Sequence, residues 1–241
     1  MKYFEVITAS KTWTCPKSGI YKIIAVGGGS SHAVRCDFGT TASSVSETLY
    51  TAGGVTSFGN ILTAKGGVPS KLSECKSSTT KGVIPIKGGA GGYTLQNYGG
   101  EGGMSFDDGA VLLPPTINGG CPGYRGLGYG AGGAVSSYVN THQWTQSVSG
   151  SNRTIYIVGI GSAAGELSEI ITDIQSGTQY SCTIGSGGAV NNDMFKAMCS
   201  RLGIELDENR REHSTAMNVF GSLSLPGRNG CIVIEYLGES L

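Results

Sequence analysis

The sequence predicts a mainly β fold: an antiparallel sandwich or barrel-like domain with long glycine-rich loops and one short inserted helix. Three observations point there. Short runs rich in β-branched and aromatic residues recur along the chain, as half-buried strands require. Glycine, 41 of 241 residues, stands at nearly every junction between them. Only one segment carries a convincing helical period with caps at both ends. Many short strands with glycine at the joints suit a sandwich or barrel better than a doubly wound sheet, which needs strands and helices in alternation.

In chain order, Tyr3 to Ile7 reads as a short strand, and Thr12 to Gly19 as a turn marked by Pro16 and Gly19. Ile20 to Val26 is a strand that runs straight into Gly27-Gly28-Gly29-Ser30-Ser31. Ser44 to Tyr50 and Ile61 to Ala64 are further strands, broken by Gly53-Gly54 and Gly66-Gly67. From about 82 to 133 the composition shifts, with 18 glycines in 52 residues. Glycine loses the most backbone entropy on folding, so such a tract is a flexible linker or is packed backbone to backbone. Tyr93, Tyr98, Met104, Phe106, Tyr124, Leu127 and Tyr129 interrupt it. Their presence favours ordered loops or glycine-rich extended helices, in which missing side chains let backbones approach closely.

Tyr138 to Trp144 and Arg153 to Ile160 resume strand character. Residues 154–165 echo residues 19–31, each an apolar strand ending in small residues. Gln179 to Ile184 reads as the second arm of a hairpin turned at Ser176-Gly177. Asp193 to Leu202 is the predicted helix, with Met194, Met198 and Leu202 on one face and Phe195 and Cys199 beside them. Asn192 or Asp193 can cap its start and Gly203 its end. Residues 207–213 read as a solvated charged stretch. Asn229-Gly230 reads as a turn before a last strand, Cys231 to Tyr236. The chain is read as one domain, 1–241, with a glycine-rich insertion at about 82–133 and a helical insertion at about 191–213.

Charge excludes one large class of function. Lys+Arg and Asp+Glu are both 17, and a neutral chain is poorly suited to binding nucleic acid through phosphates. No apolar stretch of about 20 residues is present to span a membrane. Nor does a secretion-signal pattern open the chain, so synthesis in a cytoplasm is expected. The seven cysteines (Cys15, Cys36, Cys75, Cys121, Cys182, Cys199, Cys231) lack the close spacings of zinc or redox sites and read as buried thiols, with disulfides the minority alternative.

Candidate chemistry is sparse. Gly159-Ile160-Gly161-Ser162-Ala163-Ala164 matches a dinucleotide fingerprint, and Leu167, Ile170, Ile171 and Ile174 follow at helical spacing. Against it stand the missing strand-helix alternation and the ease of a chance match among 41 glycines. His32, His142 and His213 lie far apart and read as surface or loop residues. Asp107-Asp108 reads as a solvated pair, and Asp207, Glu208, Glu212 and His213 as a charged helix face rather than an acid/base group. No catalytic residue, metal or cofactor is expected.

Two stretches resemble a known family. Thr12-Trp13-Thr14-Cys15-Pro16-Lys17-Ser18-Gly19 followed by Ile20 to Val26 and Gly27-Gly28-Gly29 looks like the opening of the glycine-rich domain of bacteriophage tail fibres and related virion proteins. Ala163 through Ser176-Gly177 to Tyr180-Ser181-Cys182-Thr183-Ile184-Gly185-Ser186-Gly187-Gly188 is similar to its central hairpin. Thr56 to Gly59, Ala64 to Gly67 and Gly227 to Tyr236 are smaller echoes, while residues 68–87 and 191–218 look inserted.

The resemblance implies a virion structural protein, at the tail fibre or tail tip, that acts as an adhesin in host-surface recognition. It implies contacts with other virion proteins and a host glycan or protein, and a homotrimer. It implies no enzyme activity. Exposed β edges also favour burial in an assembly. Tyr93, Tyr98, Tyr124 and Tyr129 are the candidate binding residues, suited to stacking on sugar rings or protein surfaces. Their alternative is local packing between glycine segments. A purely structural capsid or tail decoration is the rival reading.

Overall fold

The computed structural model describes residues 3–31, 33–40, 43–68, 83–86, 104–105, 116–117, 129–130, 132–135, 141–148, 151–160, 162–189, 191–218, 220 and 224–239. The first strands are β1 (Phe4–Ile7), β2 (Lys11–Thr14), β3 (Gly19–Val26), β4 (Ala33–Thr40), β5 (Ser43–Leu49), β6 (Thr56–Phe58) and β7 (Leu62–Ala64). Then come β8 (Val83–Ile86), β9 (Met104–Ser105), β10 (Thr116–Ile117), β11 (Ala134–Val135), β12 (Thr141–Val148) and β13 (Ser151–Ile160). The chain finishes with β14 (Leu167–Ile174), β15 (Gln179–Thr183), α1 (Asn192–Arg201), α2 (Arg211–Met217), β16 (Ser224–Leu225) and β17 (Cys231–Gly238).

The fold is mainly β and antiparallel, as the sequence predicts. Two sheets form a sandwich. One has the order β1-β17-β3-β14-β8, the other β2-β15-β6-β7. Alternate residues of each face inward: Ile7, Tyr21, Ile23, Ile170, Ile232 and Ile234 meet Trp13, Phe58, Leu62 and Cys182. The Phe58 ring stacks on Tyr180 at 4.5 Å, and Trp13 meets Tyr21 edge-on at 5.7 Å. At the open side, the Glu5 carboxylate of β1 accepts hydrogen bonds from Trp13 Nε1 of β2 (3.1 Å), from Lys11 and from the Tyr3 hydroxyl. One side chain thus ties the two sheets together.

A third sheet, β12-β13-β4-β5, is roofed by both helices. Trp144, Ile155 and Ile157 pack under Phe195, Met198, Cys199, Ala216, Met217 and Phe220. The Asn191 side chain caps α1, accepting the Met194 N–H at 3.0 Å. Beyond α1 the chain turns at Gly203, whose φ of 70° is left-handed.

Several expectations change. Among the described residues there are two helices rather than one, because 211–217 is a short second helix that buries His213, Ala216 and Met217. His213 is therefore a core residue, not a surface one. Residues 11–14 form a strand where a turn was expected. The segments 167–174 and 179–183 are not a paired hairpin. β14 pairs with β3 and β8, and β15 pairs with β2 and β6, so the turn at Ser176-Gly177 carries the chain from one sheet of the sandwich to the other. Asn229-Gly230 is not a turn either: it belongs to the extended bundle described next.

Candidate functional site

Between the sandwich and the helix-roofed sheet lies a bundle of seven extended segments. β3 leads into residues 27–31, which run on to β4. Residues 51–55 return from β5 to β6, residues 65–67 follow β7, and Gly130, Gly132 and Gly133 precede β11. Residues 162–166 join β13 to β14, residues 185–188 follow β15, and residues 226–230 join β16 to β17. Every residue of 27–31 is buried.

The hydrogen bonds give the arrangement. Gly27 and Ser30 donate to the carbonyls of Glu166 and Ala163, and Gly28 and Ser31 to those of Gly54 and Thr51. Gly29 donates to Arg228. Residues three apart address the same neighbour, which is the signature of an extended helix with three residues per turn. The carbonyls of Gly28, Gly29 and Ser30 accept from Gly67, Gly188 and Gly133. These eight bonds span 2.8–2.9 Å. Residues 27–31 are thus the hub of six neighbours. They donate to the three that run against them and accept from the three that run with them.

The six neighbours also bond to one another in a closed ring. Gly53 donates to Gly67, Gly54 to Ser186, and Gly227 and Gly230 to Gly188 and Gly185. Gly130 donates to Asn229, Gly165 to Gly130, and Glu166 to Lys65. Such packing leaves no room for side chains. A Cβ on Gly27 would sit 2.0 Å from the Lys65 carbonyl oxygen, on Gly53 1.9 Å from that of Gly28, and on Gly165 1.9 Å from that of Gly27. None of these three has a left-handed φ, so glycine is required here for close approach and not for conformation.

Where a backbone N–H meets no carbonyl, a side chain stands in. Ser30 Oγ accepts from Ala163 N–H at 2.8 Å, Ser31 Oγ from Thr51 at 2.8 Å, and Thr56 Oγ1 from Gly185 at 2.9 Å. Asn229 Oδ1 takes the Gly187 N–H at 2.9 Å. Glu166, 0 % exposed, takes the Lys65 N–H on Oε2 at 2.8 Å. Its Oε1 finds no partner among the described residues. Burial raises the Glu166 carboxyl above the usual carboxylate range, against the weaker pull of the Lys65 backbone N–H and ammonium.

The sequence points to close glycine packing in the tract 82–133, most of which lies outside the described residues. Of the bundle's segments only 130–133 comes from that tract. Gly27 to Gly29, Gly53, Gly54, Gly66, Gly67, Gly185, Gly187, Gly188, Gly227 and Gly230 lie outside it. Ser30, Ser31, Thr56 and Glu166, which complete the bundle, carry no signal that a single sequence shows. The echo between 19–31 and 154–165 does have a structural meaning: each is a strand that enters the bundle, one from the sandwich and one from the third sheet.

The bundle also disposes of the dinucleotide motif. Residues 162–166 are extended and continue into β14, not into a helix. The N–H groups of Ala163, Gly165 and Glu166 are already bonded within the bundle, so these three do not face a phosphate.

Of the four candidate tyrosines, Tyr93, Tyr98 and Tyr124 lie outside the described residues. Tyr129 is half-buried against Ile24, Val26, Leu167, Cys231 and Val233 on the outer face of the first sheet. Asp107, Asp108, His32, Cys75 and Cys121 also lie outside the described residues. Cys15 and Cys182 are buried free thiols, and burial pushes Cys182 up to about 11, far from a reactive thiolate. Cys36, Cys199 and Cys231 are buried as well.

Asp207, Glu208, Glu212 and His213 do not converge on an open site. His213 is 2 % exposed, accepts the Asp207 N–H on Nδ1 at 3.0 Å and lies 4.7 Å from the Trp144 ring. Burial, followed by Arg210, lowers it below its ordinary value, which keeps the imidazole neutral. Glu208 pairs with Lys196 at 2.8 Å, and both line a groove of about 470 Å³ together with Ile204, Leu206 and Met217. No group of three or more His, Cys, Asp or Glu side chains among the described residues is arranged to hold a metal ion. No family model matches the chain, and no curated protein or solved structure is significantly similar to it.

Proposed function

We propose that this chain is a bacteriophage virion protein of the tail fibre or tail tip that helps recognise the host surface. The observation that supports this reading best is the seven-segment bundle. It fixes two side-chain cores to each other mainly through backbone hydrogen bonds, with few charges and with a handful of side-chain acceptors completing it. A scaffold of that kind holds surface segments in place while leaving their sequences free to vary. The span 69–128 sits in sequence between two bundle segments, 65–67 and 130–133, and carries Tyr93, Tyr98 and Tyr124. Aromatic rings among glycines suit contact with sugar faces. Its partners are then other virion proteins and a host glycan or protein, and its place is the virion.

Quantitative mass spectrometry of purified particles of the source virus tests the proposal. A few copies per particle, together with binding of the isolated protein to host cells, is the expected result. Hundreds of copies without cell binding indicate a capsid or tail decoration. Absence from particles overturns the virion reading.

A further inference from the structure

We propose that β12 is an interface at which a second copy of this chain adds its own β12, antiparallel and across a two-fold axis. The inference comes from comparing the sheet edges and does not depend on the function proposed above. An edge strand exposes a row of unpaired N–H and C=O groups, and folded chains blunt such edges with charge, proline or brevity. The edges of the sandwich are blunted in these ways. β1 is four residues long and carries Glu5, and β8 is four residues long and contains Pro85. β2 is four residues long and begins with Lys11, and β7 has only three residues. In the third sheet, β5 carries Glu47.

β12 has none of these devices. Its eight residues, Thr-His-Gln-Trp-Thr-Gln-Ser-Val, include no Lys, Arg, Asp, Glu or Pro. It pairs with β13 along its whole length and with no other strand among the described residues. One face is fixed by the helices: Trp144 is buried beneath them, and Gln146 Nε2 donates to the Gly203 carbonyl at 3.4 Å. The other face presents Thr145 and Ser147, both exposed, beside the exposed Thr154 and Asn152 of β13. An edge of this length and composition, with no other partner strand among the described residues, is suited to take another strand.

The composition identifies that strand. A two-fold axis sets a strand against its own sequence, so any charge near the axis would face its like. β5 brings Glu47 to such a pairing, whereas β12 brings Thr, Gln and Ser, which pair well across strands. The result is a continuous eight-stranded sheet built from two copies of the four-stranded one.

Sedimentation of the full chain over a range of concentrations tests this. The expected result is a concentration-dependent rise to twice the chain mass. Backbone amides of 141–148 should become protected from exchange as concentration rises. T145K/S147K places lysines on exposed positions that the fold does not use. This variant is expected to stay monomeric with unchanged circular dichroism. Mixing it with T145E/S147E is expected to restore a mixed dimer. A wild-type chain that is monomeric at every concentration, a trimer, a dimer untouched by T145K/S147K, or 141–148 amides indifferent to concentration would each overturn the proposal.

Discussion

The sandwich core and the glycine bundle hold this chain together by opposite means. In the sandwich, stability comes from side chains removed from water: Tyr21, Ile23, Phe58 and Ile232 are all fully buried. In the bundle it comes from backbones that approach until nothing larger than hydrogen fits between them. The two regions therefore fail in opposite directions. Deleting atoms damages the first, and adding a single carbon damages the second.

The largest expected effect tests the bundle. Gly165→Ala places a Cβ 1.9 Å from the Gly27 carbonyl oxygen and 2.3 Å from its carbon. Both contacts are rigid backbone, so relief requires residues 162–166 to leave the hub and their hydrogen bonds to Gly27 and Ser30 to break. A loss above about 4 kcal/mol is expected, exceptional for a single methyl group. That is a large part of the roughly 5–15 kcal/mol that holds a domain folded. Urea unfolding of the variant checks it. A midpoint near wild type would mean that the segments slide apart easily and that the bundle is no rigid spacer.

Phe58→Ala tests the other side of the comparison. Phe58 is fully buried between Trp13 and Tyr180, with ring centroids 5.5 and 4.5 Å away. Truncation opens a cavity and should cost about 3–5 kcal/mol. The unfolding midpoint should fall without a change in slope.

These two regions also differ in how far they can be read from sequence. The strands of the sandwich announce themselves, since the β-branched and aromatic runs Ile20 to Val26 and Cys231 to Tyr236 mark strands directly, and both of their faces are covered, one by the sandwich core and one by a smaller outer cluster. β2 is missed because Lys11-Thr12-Trp13-Thr14 has one apolar residue and a Cys-Pro after it. The second helix is missed because 211–217 opens on Arg-Glu-His and lacks a side-chain cap. The bundle is half legible. The number of glycines suggests that some pack against others, but the tyrosines that point to such packing stand in the tract 82–133 and not among the bundle's glycines. Which glycines meet does not follow, because Gly27 meets residues 65 and 166 and Gly29 meets residues 188 and 228. Close approach has no period in a single chain, and neighbours so far apart in sequence leave no local trace.

Glu166 is where the two regions' rules collide, a titratable side chain placed inside a backbone lattice. Burial raises its folded-state proton affinity above that of the unfolded chain, where the ordinary value is 4.5. Ionised Glu166 therefore destabilises the fold at neutral pH, and the penalty lifts as pH falls through the raised value, fully so below 4.5. Glu166→Gln keeps an acceptor for the Lys65 N–H and removes the charge. The variant should melt above wild type at neutral pH, and the gap should close on acidification. Thermal melts of both proteins across that range measure it. A gap independent of pH would assign the effect to shape alone. Glu5 works the other way: although burial raises it, hydrogen bonds from Lys11 and Tyr3 outweigh that and hold it low, so its contribution is lost in acid. Subtracting the two melting curves removes the Glu5 contribution, because both proteins share it.

The smallest effect separates the two reasons for glycine. Gly177 has a φ of +80°, and a Cβ there would meet nothing within 4 Å. Gly165 is its converse, with no left-handed φ and no space. Gly177→Ala therefore incurs conformational strain alone, about 1 kcal/mol for an L-residue in the left-handed region. The turn it sits in is already held by the Gly177 N–H to the Cys15 carbonyl at 2.8 Å and by Ser18 Oγ accepting from Ser176 at 2.9 Å. Those bonds keep the φ positive, so the strain is borne rather than relaxed. A shift in unfolding midpoint several times smaller than that of Gly165→Ala is the expected result. Equal shifts would mean that backbone conformation, not the absence of Cβ, sets the need for glycine in the bundle, and the account of the hub as a lattice of touching backbones would fail.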